Sequence, residues 1–242
     1  MTRAGSYRLK TSLMISLIIA SIALQAQIPD KRVSKRDKRK DVEMITSVGT
    51  IRLRLSDETP LHRDNFIRLI KSRFYDGIAF HRVIKGFMIQ AGDAKSRDSS
   101  VRKPRRAPDS AYTIPAEIRE GLYHRRGVLA AARLGDQVNP TRASSGTQFY
   151  IVQGKIFSDK SLDSVETHRL NGRKIPITHR DKYKSIGGAP HLDQSYTIFG
   201  EVLEGMDTVD SIADVNTTGR SGNDKPLSPI SILKIRLVKR NP

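Results

Sequence analysis

Apolar and polar residues alternate along several short segments of the chain, and a period of two residues is typical of β-strands. The clearest example is segment 50–55, in which isoleucine and leucine side chains alternate with arginine side chains. This pattern and short β-branched runs predict strands at 42–46, 50–55, 78–84, 87–91, 128–132, 149–152, 196–202 and 230–238. The first two strands are expected to form a hairpin.

Two segments show the apolar spacing of a helix. In the first, Thr59 and Pro60 are typical of a helix cap and a first helical position, and apolar residues recur to about residue 72. In the second, Met206, Val209 and Ile212 recur every three residues. Many short strands with few helices favour a mainly β protein, an antiparallel barrel or sandwich, and the alternation of strands and helices that builds a parallel sheet is absent.

Two polar segments lack a clear period and are predicted to be loops. One is 95–110, and the other is a long inserted loop at about 155–189 that ends in Gly-Gly-Ala-Pro. A loop as long as the second is usually functional or mobile. We therefore expect one domain at 41–239 that carries this insertion.

The first 26 residues have the order of a secretory signal peptide. Arg3, Arg8 and Lys10 form a basic start, an uncharged apolar run follows at 13–24, and small residues end at Ala26. The run of about a dozen residues is shorter than the roughly 18–20 that span a membrane. We expect cleavage after residue 26 rather than a retained anchor, and hence an exported protein, periplasmic or secreted.

Residues 27–40 are predicted to be a basic, flexible linker. From residue 29 onward they are almost all charged, so they bury too little apolar surface to repay the entropy of ordering. The simpler interpretation is a solvated connection to the domain. The alternative is an electrostatic tether to anionic lipid or wall polymer, in which each lysine or arginine contributes about 1 kcal/mol near the charged surface.

Composition excludes several classes of site. Lysine and arginine outnumber aspartate and glutamate by 43 to 25, and the net charge of +18 favours polyanionic partners. No aromatic residues interleave with the basic runs 31–40 and 97–106, so specific nucleic-acid binding is not indicated. The chain has no cysteine, and its six histidines form no HxH or HExxH pattern. We therefore expect neither a metal nor another cofactor.

The segment that points to chemistry is 80–93, which reads FHRVIKGFMIQAGD. Arg82 lies among apolar residues that are expected to be buried, where a guanidinium must be hydrogen-bonded or its desolvation is costly. After a Lys-Gly turn, Met88 and Gln90 face one side of the next strand. A short motif of this kind is weak by itself.

Two further blocks follow in the chain. The first is RGVLAAAR at 126–133, joined by a loop to SGTQFYI at 145–151, and the second is PHLDQSYTIFG at 190–200. Together the three blocks resemble the cyclophilin family of peptidyl-prolyl isomerases, and matching features cover most of 42–238. The resemblance implies a closed eight-stranded antiparallel β-barrel capped by two α-helices. It also implies an enzyme that accelerates X-Pro isomerisation in proline-containing polypeptide clients, here during the folding of exported proteins.

The resemblance also implies roles for individual residues. Arg82 matches the catalytic arginine of the family. The residues that match its substrate-binding positions are Phe87, Met88, Gln90, Ala132, Arg133, Gln148, Tyr150, His191, Leu192 and Tyr196. In the family, apolar members of this set hold the proline ring, the glutamines orient the substrate backbone, and the 132–133 segment runs beside the substrate like a strand.

Four of these positions depart from the common family pattern. Tyr150 stands where phenylalanine is usual, Arg133 where many members have asparagine, and Tyr196 where many eukaryotic members have histidine. His191 replaces the tryptophan of members that bind cyclosporin tightly, so we expect weak cyclosporin binding. The insertion at 155–189 lies just before the pocket residues and is expected to alter substrate access.

The implied reaction breaks no bond, so it requires neither a nucleophile nor a proton shuttle. A fixed donor such as Arg82, aimed at the imide nitrogen, would stabilise the twisted bond more than the planar one. Two alternatives stay open: a non-catalytic barrel that only binds proline-containing segments, and a secreted polyanion-binding protein. The retained Arg82 argues against the first, because binding alone does not need that charge. We expect a monomer.

Overall fold

The computed structural model describes residues 32–101 and 112–240. The predicted signal peptide and residues 27–31 of the predicted linker lie outside these ranges, as do residues 102–110 of the 95–110 loop. Within the described ranges, no helix combines the length and the apolar character needed to cross a membrane.

The described residues form ten strands and five α-helices. The strands are β1 (Lys40–Thr46), β2 (Gly49–Leu55), β3 (Arg82–Ile84), β4 (Met88–Ala91), β5 (Thr113–Ile114), β6 (Val128–Ala131), β7 (Ser144–Ser145), β8 (Phe149–Val152), β9 (Ile198–Glu204) and β10 (Ile232–Lys239). The helices are α1 (Lys35–Lys38), α2 (Pro60–Lys71), α3 (Asp159–His168), α4 (Ile177–Ser185) and α5 (Met206–Ala213). Short 3₁₀ turns lie at Ala94–Ser96, Pro190–Leu192 and Arg220–Gly222.

Eight strands form one antiparallel sheet in the order β10-β1-β2-β9-β6-β8-β4-β3, and β5 pairs separately with β7. The predicted hairpin is present as β1 and β2, where Val42 faces Leu53 and Met44 faces Ile51 in the register. All four of these side chains are fully buried, as the alternating pattern requires when one face of a sheet covers a core.

The sheet is open, so the prediction of a closed barrel is wrong. No ladder pairs β3 with β10 among the described residues. The predicted strand 78–84 is regular only from Arg82 onward, because the residues before it divide their hydrogen bonds between two neighbours. The N–H of Phe80 donates to the carbonyl of Ile230 (2.9 Å), whereas the N–H of Ala79 donates to the carbonyl of Ser96 (3.3 Å). The first of these bonds links the residues before β3 to the residues before β10, but no ladder forms between the two edge strands.

Helix α2 packs on the core face of the sheet. Its Phe66 is 2% exposed and contacts the rings of Tyr75, Phe149 and Phe199, with centroid distances of 5.0–5.4 Å. Thr59 precedes the helix as predicted, but its side chain makes no capping hydrogen bond.

The free N–H groups at the start of α2 are satisfied from a distant segment. The carboxylate of Glu117 accepts the backbone N–H groups of Leu61 (3.0 Å) and His62 (2.9 Å). A negative charge at a helix N-terminus is favourable for the helix dipole as well as for these donors. A capping residue this far along the chain leaves no pattern in the sequence next to the helix. The local sequence therefore points to Thr59 as the cap instead.

The segment predicted to be a loop at 155–189 is a helical insertion. Helices α3 and α4 pack around a small apolar cluster of their own, formed by Phe157, Leu162, Leu170, Ile175 and Tyr183. Tyr183 and Leu162 are fully buried, whereas most other positions of the two helices are exposed. Because so few apolar side chains reach the cluster, the helical period is weak, and the prediction of a loop was wrong.

The end of the predicted flexible linker is ordered. Ser34 caps helix α1 with a reciprocal capping box to Asp37. The carboxylate of Asp37 is mostly buried and lies 2.8 Å from the Nζ of Lys71 on α2, and Val33 packs against the main core. Charged residues therefore order this segment by pairing with the domain, which a composition argument does not foresee.

Candidate active site

One cavity of about 900 Å³ opens on the surface where β3, β4, β6 and β8 meet the turn at 190–192. Ten of the eleven residues expected at the site line it: Arg82, Phe87, Met88, Gln90, Ala132, Arg133, Gln148, Tyr150, Leu192 and Tyr196. The eleventh, His191, lies behind the wall, where its ring packs against that of Phe87 at a centroid distance of 5.1 Å. Segments more than a hundred residues apart in the chain thus converge on one concavity.

The floor of the cavity is apolar. Met88 on β4 and Tyr150 on the adjacent strand β8 are both nearly buried, and they belong to one apolar cluster with Ile198. Phe87, Leu192 and Tyr196 pack on the edge of this cluster and are partly exposed. A floor of this kind can hold a small apolar ring by excluding water from both surfaces.

Two glutamines form a polar strip beside the floor. The Nε2 of Gln90 donates to the Oε1 of Gln148 at 3.1 Å. Gln90 stands opposite Arg82 in the β3–β4 register, so the guanidinium and the amide lie on the same side of the sheet. Neutral amides can donate to or accept from a peptide backbone without adding a charge to the pocket.

Arg82 brings the positive charge to the wall of the cavity. Its side chain is 34% exposed, and its Nε lies 3.4 Å from Oδ2 of Asp224. The Nε atom itself is buried and has no hydrogen-bond partner among the described residues. Asn223 and Asp224 both adopt left-handed backbone conformations, with φ of 61° and 53°, and Asn223 also lines the cavity. The guanidinium is therefore held from one side by an ion pair and faces the cavity on the other.

Comparison with known proteins places this arrangement in a family. A model of the family described as cyclophilin type peptidyl-prolyl cis-trans isomerase/CLD matches residues 41–237. The chain belongs to this family. The match includes every residue of the cavity.

Two relatives and one solved structure illustrate the likeness. A Staphylococcus saprophyticus protein named "Putative peptidyl-prolyl cis-trans isomerase" is 32% identical over 199 residues, which are 81% of this chain and 90% of the relative. A Staphylococcus aureus protein of the same name is 32% identical over 197 residues, 80% of this chain and 89% of the relative. The crystal structure of a Cryptosporidium parvum cyclophilin type isomerase matches with a TM-score of 0.59 at 24% identity, covering 84% of this chain and 99% of that one. This last likeness shows the cyclophilin fold.

Arg133, a departure from the common cyclophilin pattern, is committed to the protein's own structure. Its Nε donates to the carbonyl of Ser195 (2.7 Å), its Nη1 lies 2.5 Å from a carboxylate oxygen of Asp136, and its guanidinium lies 4.4 Å from the ring centroid of Tyr196. The side chain is 4% exposed. Arg133 therefore braces the wall that Tyr196 forms.

The cavity extends beyond the predicted residues. Its further lining consists of His81, Asp93, Tyr112, Thr113, Leu134, Val138, Asn139, Ala143, Ser145 and Asn223. Leu134 and Val138 are 69% and 73% exposed. The one sequence signal that could have marked them is that each is an apolar residue in an otherwise polar loop. Of the others, His81, Asp93 and Ser145 belong to the motif blocks but had no predicted role, and the rest come from segments without a motif and join the site only through the fold.

Burial keeps three ionisable side chains at or beside the cavity neutral. It lowers the pKa of His81, and it lowers the pKa of His191 to about 4, with further lowering from the nearby Arg169. Burial also raises the pKa of Tyr150 well above its ordinary value. At neutral pH these three groups carry no charge, so they add none to that of Arg82, and the second guanidinium of the lining, Arg133, is already paired with Asp136.

In the described part of the chain, no group of three or more His, Cys, Asp or Glu side chains is arranged to hold a metal ion. The six histidines are distributed over separate elements.

Proposed function

We propose that this cyclophilin isomerises X-Pro bonds by holding the proline ring on the floor formed by Met88 and Tyr150 while Arg82 donates to the imide nitrogen. The supporting observation is that Arg82 and this apolar floor line the same cavity. The same proposal includes two further predicted roles. The two glutamines orient the substrate backbone, and the 132–133 segment runs beside the substrate.

The chemical argument starts from the planar peptide bond. Amide resonance sets a barrier of about 18–20 kcal/mol to rotation. As the bond twists, resonance is lost and the nitrogen gains a lone pair, which can accept a hydrogen bond that the planar form cannot. An arginine aimed at that position stabilises the twisted state selectively. An acceleration of about 10⁵ requires about 7 kcal/mol of such stabilisation, and a charged donor with good positioning is of the right size.

The backbone around Ala132 supports a strand-like substrate contact at the neighbouring residue. The N–H of Ala132 donates to the carbonyl of Gln148 (3.0 Å), and its carbonyl accepts the N–H of Ser145 (2.8 Å). These bonds hold Ala132 within the protein. We assign the backbone contact with the substrate to Arg133, whose side chain is turned away to Ser195 and Asp136.

The test is an isomerisation assay on an Xaa-Pro peptide. Arg82→Ala is expected to lower kcat/KM by about 100-fold or more because it removes the donor, and Arg82→Lys should recover little because it keeps the charge but loses the planar fork. Arg236→Ala is the matched control. Arg236 lies on β10 and pairs at the surface with Glu43 on β1, so its removal should leave the rate unchanged. Equal, negligible rates in wild type and Arg82→Ala would instead support a non-catalytic binding protein.

We propose that the clients are exported proteins, on the basis of the signal-like order of residues 1–26. Fusing these residues to a reporter enzyme that is active only after export should give activity. Replacing the central isoleucines of the apolar run with aspartate should abolish it. An inactive wild-type fusion would argue for a protein that stays inside the cell.

A contact with anionic surfaces through the basic N-terminal segment is a weaker proposal. Part of its charge is neutralised on the domain, since Lys38 pairs with Asp64 and Lys40 lies 4.0 Å from Asp37. Binding to anionic vesicles should therefore be modest and should fall steeply with salt. Salt-insensitive binding, or binding that survives removal of the basic residues 27–40, would contradict it. Monomeric state and weak cyclosporin affinity stay predictions, open to light scattering and titration.

A further inference from the structure

A continuous chain of buried hydrogen bonds connects the inserted helices to the cavity. Tyr183 on α4 donates its hydroxyl to Oδ2 of Asp193 at 2.7 Å. The other carboxylate oxygen accepts the backbone N–H of His124 at 2.8 Å and lies 3.1 Å from its Nδ1. The Nε2 of His124 lies 2.9 Å from the hydroxyl of Tyr150, which forms the floor of the cavity. We refer to these four residues as the Tyr183–Tyr150 network.

All four side chains are shielded from water. Tyr183 and His124 are fully buried, and Asp193 and Tyr150 are each 4% exposed. A polar group in such surroundings depends on its protein partners, because water cannot replace a bond that is lost. The network is satisfied from end to end, so its members fix one another's positions.

The direction of each hydrogen bond follows from the carboxylate. Asp193 can only accept while ionised, so the proton of His124 belongs on Nδ1. In the neutral imidazole, Nε2 is then an acceptor, and the hydroxyl of Tyr150 must donate to it. The tautomer of His124 thereby sets the direction of this hydrogen bond, and the bond helps to hold the phenol ring that faces the cavity.

Asp193 also connects directly to the rim. It follows Leu192 and ends the 3₁₀ turn Pro190–Leu192 that carries His191. The Nη2 of Arg173, from the loop between α3 and α4, donates to the backbone carbonyl of Asp193 at 2.6 Å. The insertion therefore holds both the side chain and the backbone of a residue that adjoins the pocket.

We propose that Tyr183 is a positioning residue for the proline pocket: by holding Asp193 it fixes His124 and, through it, the ring of Tyr150 on which the substrate proline packs. The inference rests on the proposed function of the cavity. Loss of the Tyr183 hydroxyl leaves one oxygen of a buried carboxylate without a partner, which is costly. The carboxylate must then turn or admit water, and either change weakens its bond to Nδ1 of His124.

The first test is Tyr183→Phe, which removes only the hydroxyl. We expect kcat/KM for an Xaa-Pro peptide to fall about threefold to tenfold, the range over which remote members of a coupled network act. Tyr123→Phe is the matched control. The ring of Tyr123 stacks on His179 and meets the ring of Tyr183 at a centroid distance of 5.8 Å, but its hydroxyl is not a member of the network, so a variant that keeps the ring should keep the wild-type rate. An unchanged rate in Tyr183→Phe would overturn the proposal.

A double-mutant cycle shows whether the effect passes through Tyr150. In a Tyr150→Phe background the last bond of the network is already gone, so adding Tyr183→Phe should cause no further loss. An equal loss in both backgrounds would mean that Tyr183 acts only as a structural support for the insertion, and the proposal would be wrong.

A measurement independent of activity completes the test. The ¹⁵N spectrum of the histidine rings of the wild-type protein should show His124 protonated on Nδ1, and Tyr183→Phe should shift its signals while Tyr123→Phe does not. A wild-type His124 protonated on Nε2 overturns the network, even if Tyr183→Phe fails to fold. If the wild-type protein shows no isomerase activity, the proposed function fails, whereas the ¹⁵N spectra still decide the network.

Discussion

Asp224 holds Arg82 and the strand that carries it at the same time. Its carboxylate oxygen Oδ2 lies 3.4 Å from Nε of Arg82, and its backbone carbonyl accepts the N–H of Val83 at 2.9 Å. Asp224 does so from a left-handed conformation (φ 53°), which is uncommon for a residue with a side chain and is found preferentially where surrounding structure enforces it. This loop therefore sets where the guanidinium points.

We expect Asp224→Asn to lower kcat/KM about threefold to tenfold while the protein stays folded. The reason is positional: without the opposite charge the guanidinium samples more rotamers, and small misplacements of a catalytic group are expensive. Asp214→Asn is the matched control, since Asp214 pairs with Lys85 where both side chains are mostly exposed. An isomerase assay at fixed ionic strength measures both variants. A wild-type rate for Asp224→Asn would show that Arg82 needs no such support.

Gly92, directly after β4, approaches the residues directly before β8 too closely for a side chain. Its φ is 96°, and a Cβ there would meet the carbonyl of Thr147 and the backbone of Gln148. Gly92→Ala is expected to cost about 2–5 kcal/mol of unfolding free energy, from left-handed strain plus overpacking. It should also displace Gln148 in the cavity. Denaturant unfolding measures the first effect.

Gly86→Ala is the control that separates the two causes. Gly86 also has a positive φ (73°), but a Cβ there would meet no atom within 4 Å. Its variant should lose only about 1–2 kcal/mol, the cost of the left-handed conformation. If Gly92→Ala is no more destabilising than Gly86→Ala, the close approach to Thr147 does not constrain the fold.

Local patterns predicted the parts of the fold that depend on neighbours in sequence. Alternation located β1, β2 and β10, and the continuous motif around Arg82, Met88 and Gln90 lies in one hairpin, so its members could be placed together from the sequence. The segments around Tyr150 and Leu192 could be assigned to the site only through the resemblance to cyclophilins. The functional roles of these residues stay predictions.

What the sequence could not show arises from contacts between distant segments. The prediction of a closed barrel is wrong because residues 77–80 divide their backbone hydrogen bonds between the 96–98 segment and the 230–232 segment instead of pairing along one strand. The prediction of a loop at 155–189 is wrong because its two helices bury few apolar side chains and therefore show only a weak helical period. Tyr183 meets Asp193 only through the fold, and no spacing in the chain marks the pair.

Glu166 supplies the charge that holds the insertion together. It is 2% exposed and accepts from Lys174 (2.8 Å), Arg180 (2.8 Å) and the backbone N–H of Ile175 (3.0 Å). Burial acts to raise its pKa, but these donors outweigh burial and lower the pKa to about 2. The carboxylate is therefore charged at all ordinary pH values, and its partners depend on it.

We expect Glu166→Ala to destabilise the insertion locally by about 3 kcal/mol, because it leaves the buried N–H of Ile175 without an acceptor and removes the buried carboxylate from the mostly buried Arg180. Hydrogen exchange of the amides of α3 and α4 should speed up, while that of β1 and β2 should not. Asp163→Ala removes an exposed partner of the same Arg180 and should have an effect under about 1 kcal/mol. Uniform loss of protection over the whole chain would mean that the insertion does not unfold independently.

His191 should make stability depend on pH. Burial, with help from Arg169 and His124 and against the opposing effect of Asp193, lowers its pKa from 6.5 to about 4. Between these values the unfolded chain binds a proton that the folded protein does not, so the free energy of unfolding should fall as pH drops from about 6.5 towards 4. His191→Gln should flatten part of this slope, whereas His168→Gln, which replaces an exposed histidine on α3, should not. Denaturant unfolding at several pH values measures the difference. Parallel slopes for wild type and His191→Gln would show that the ring packed against Phe87 accepts its proton as readily as it does in the unfolded chain.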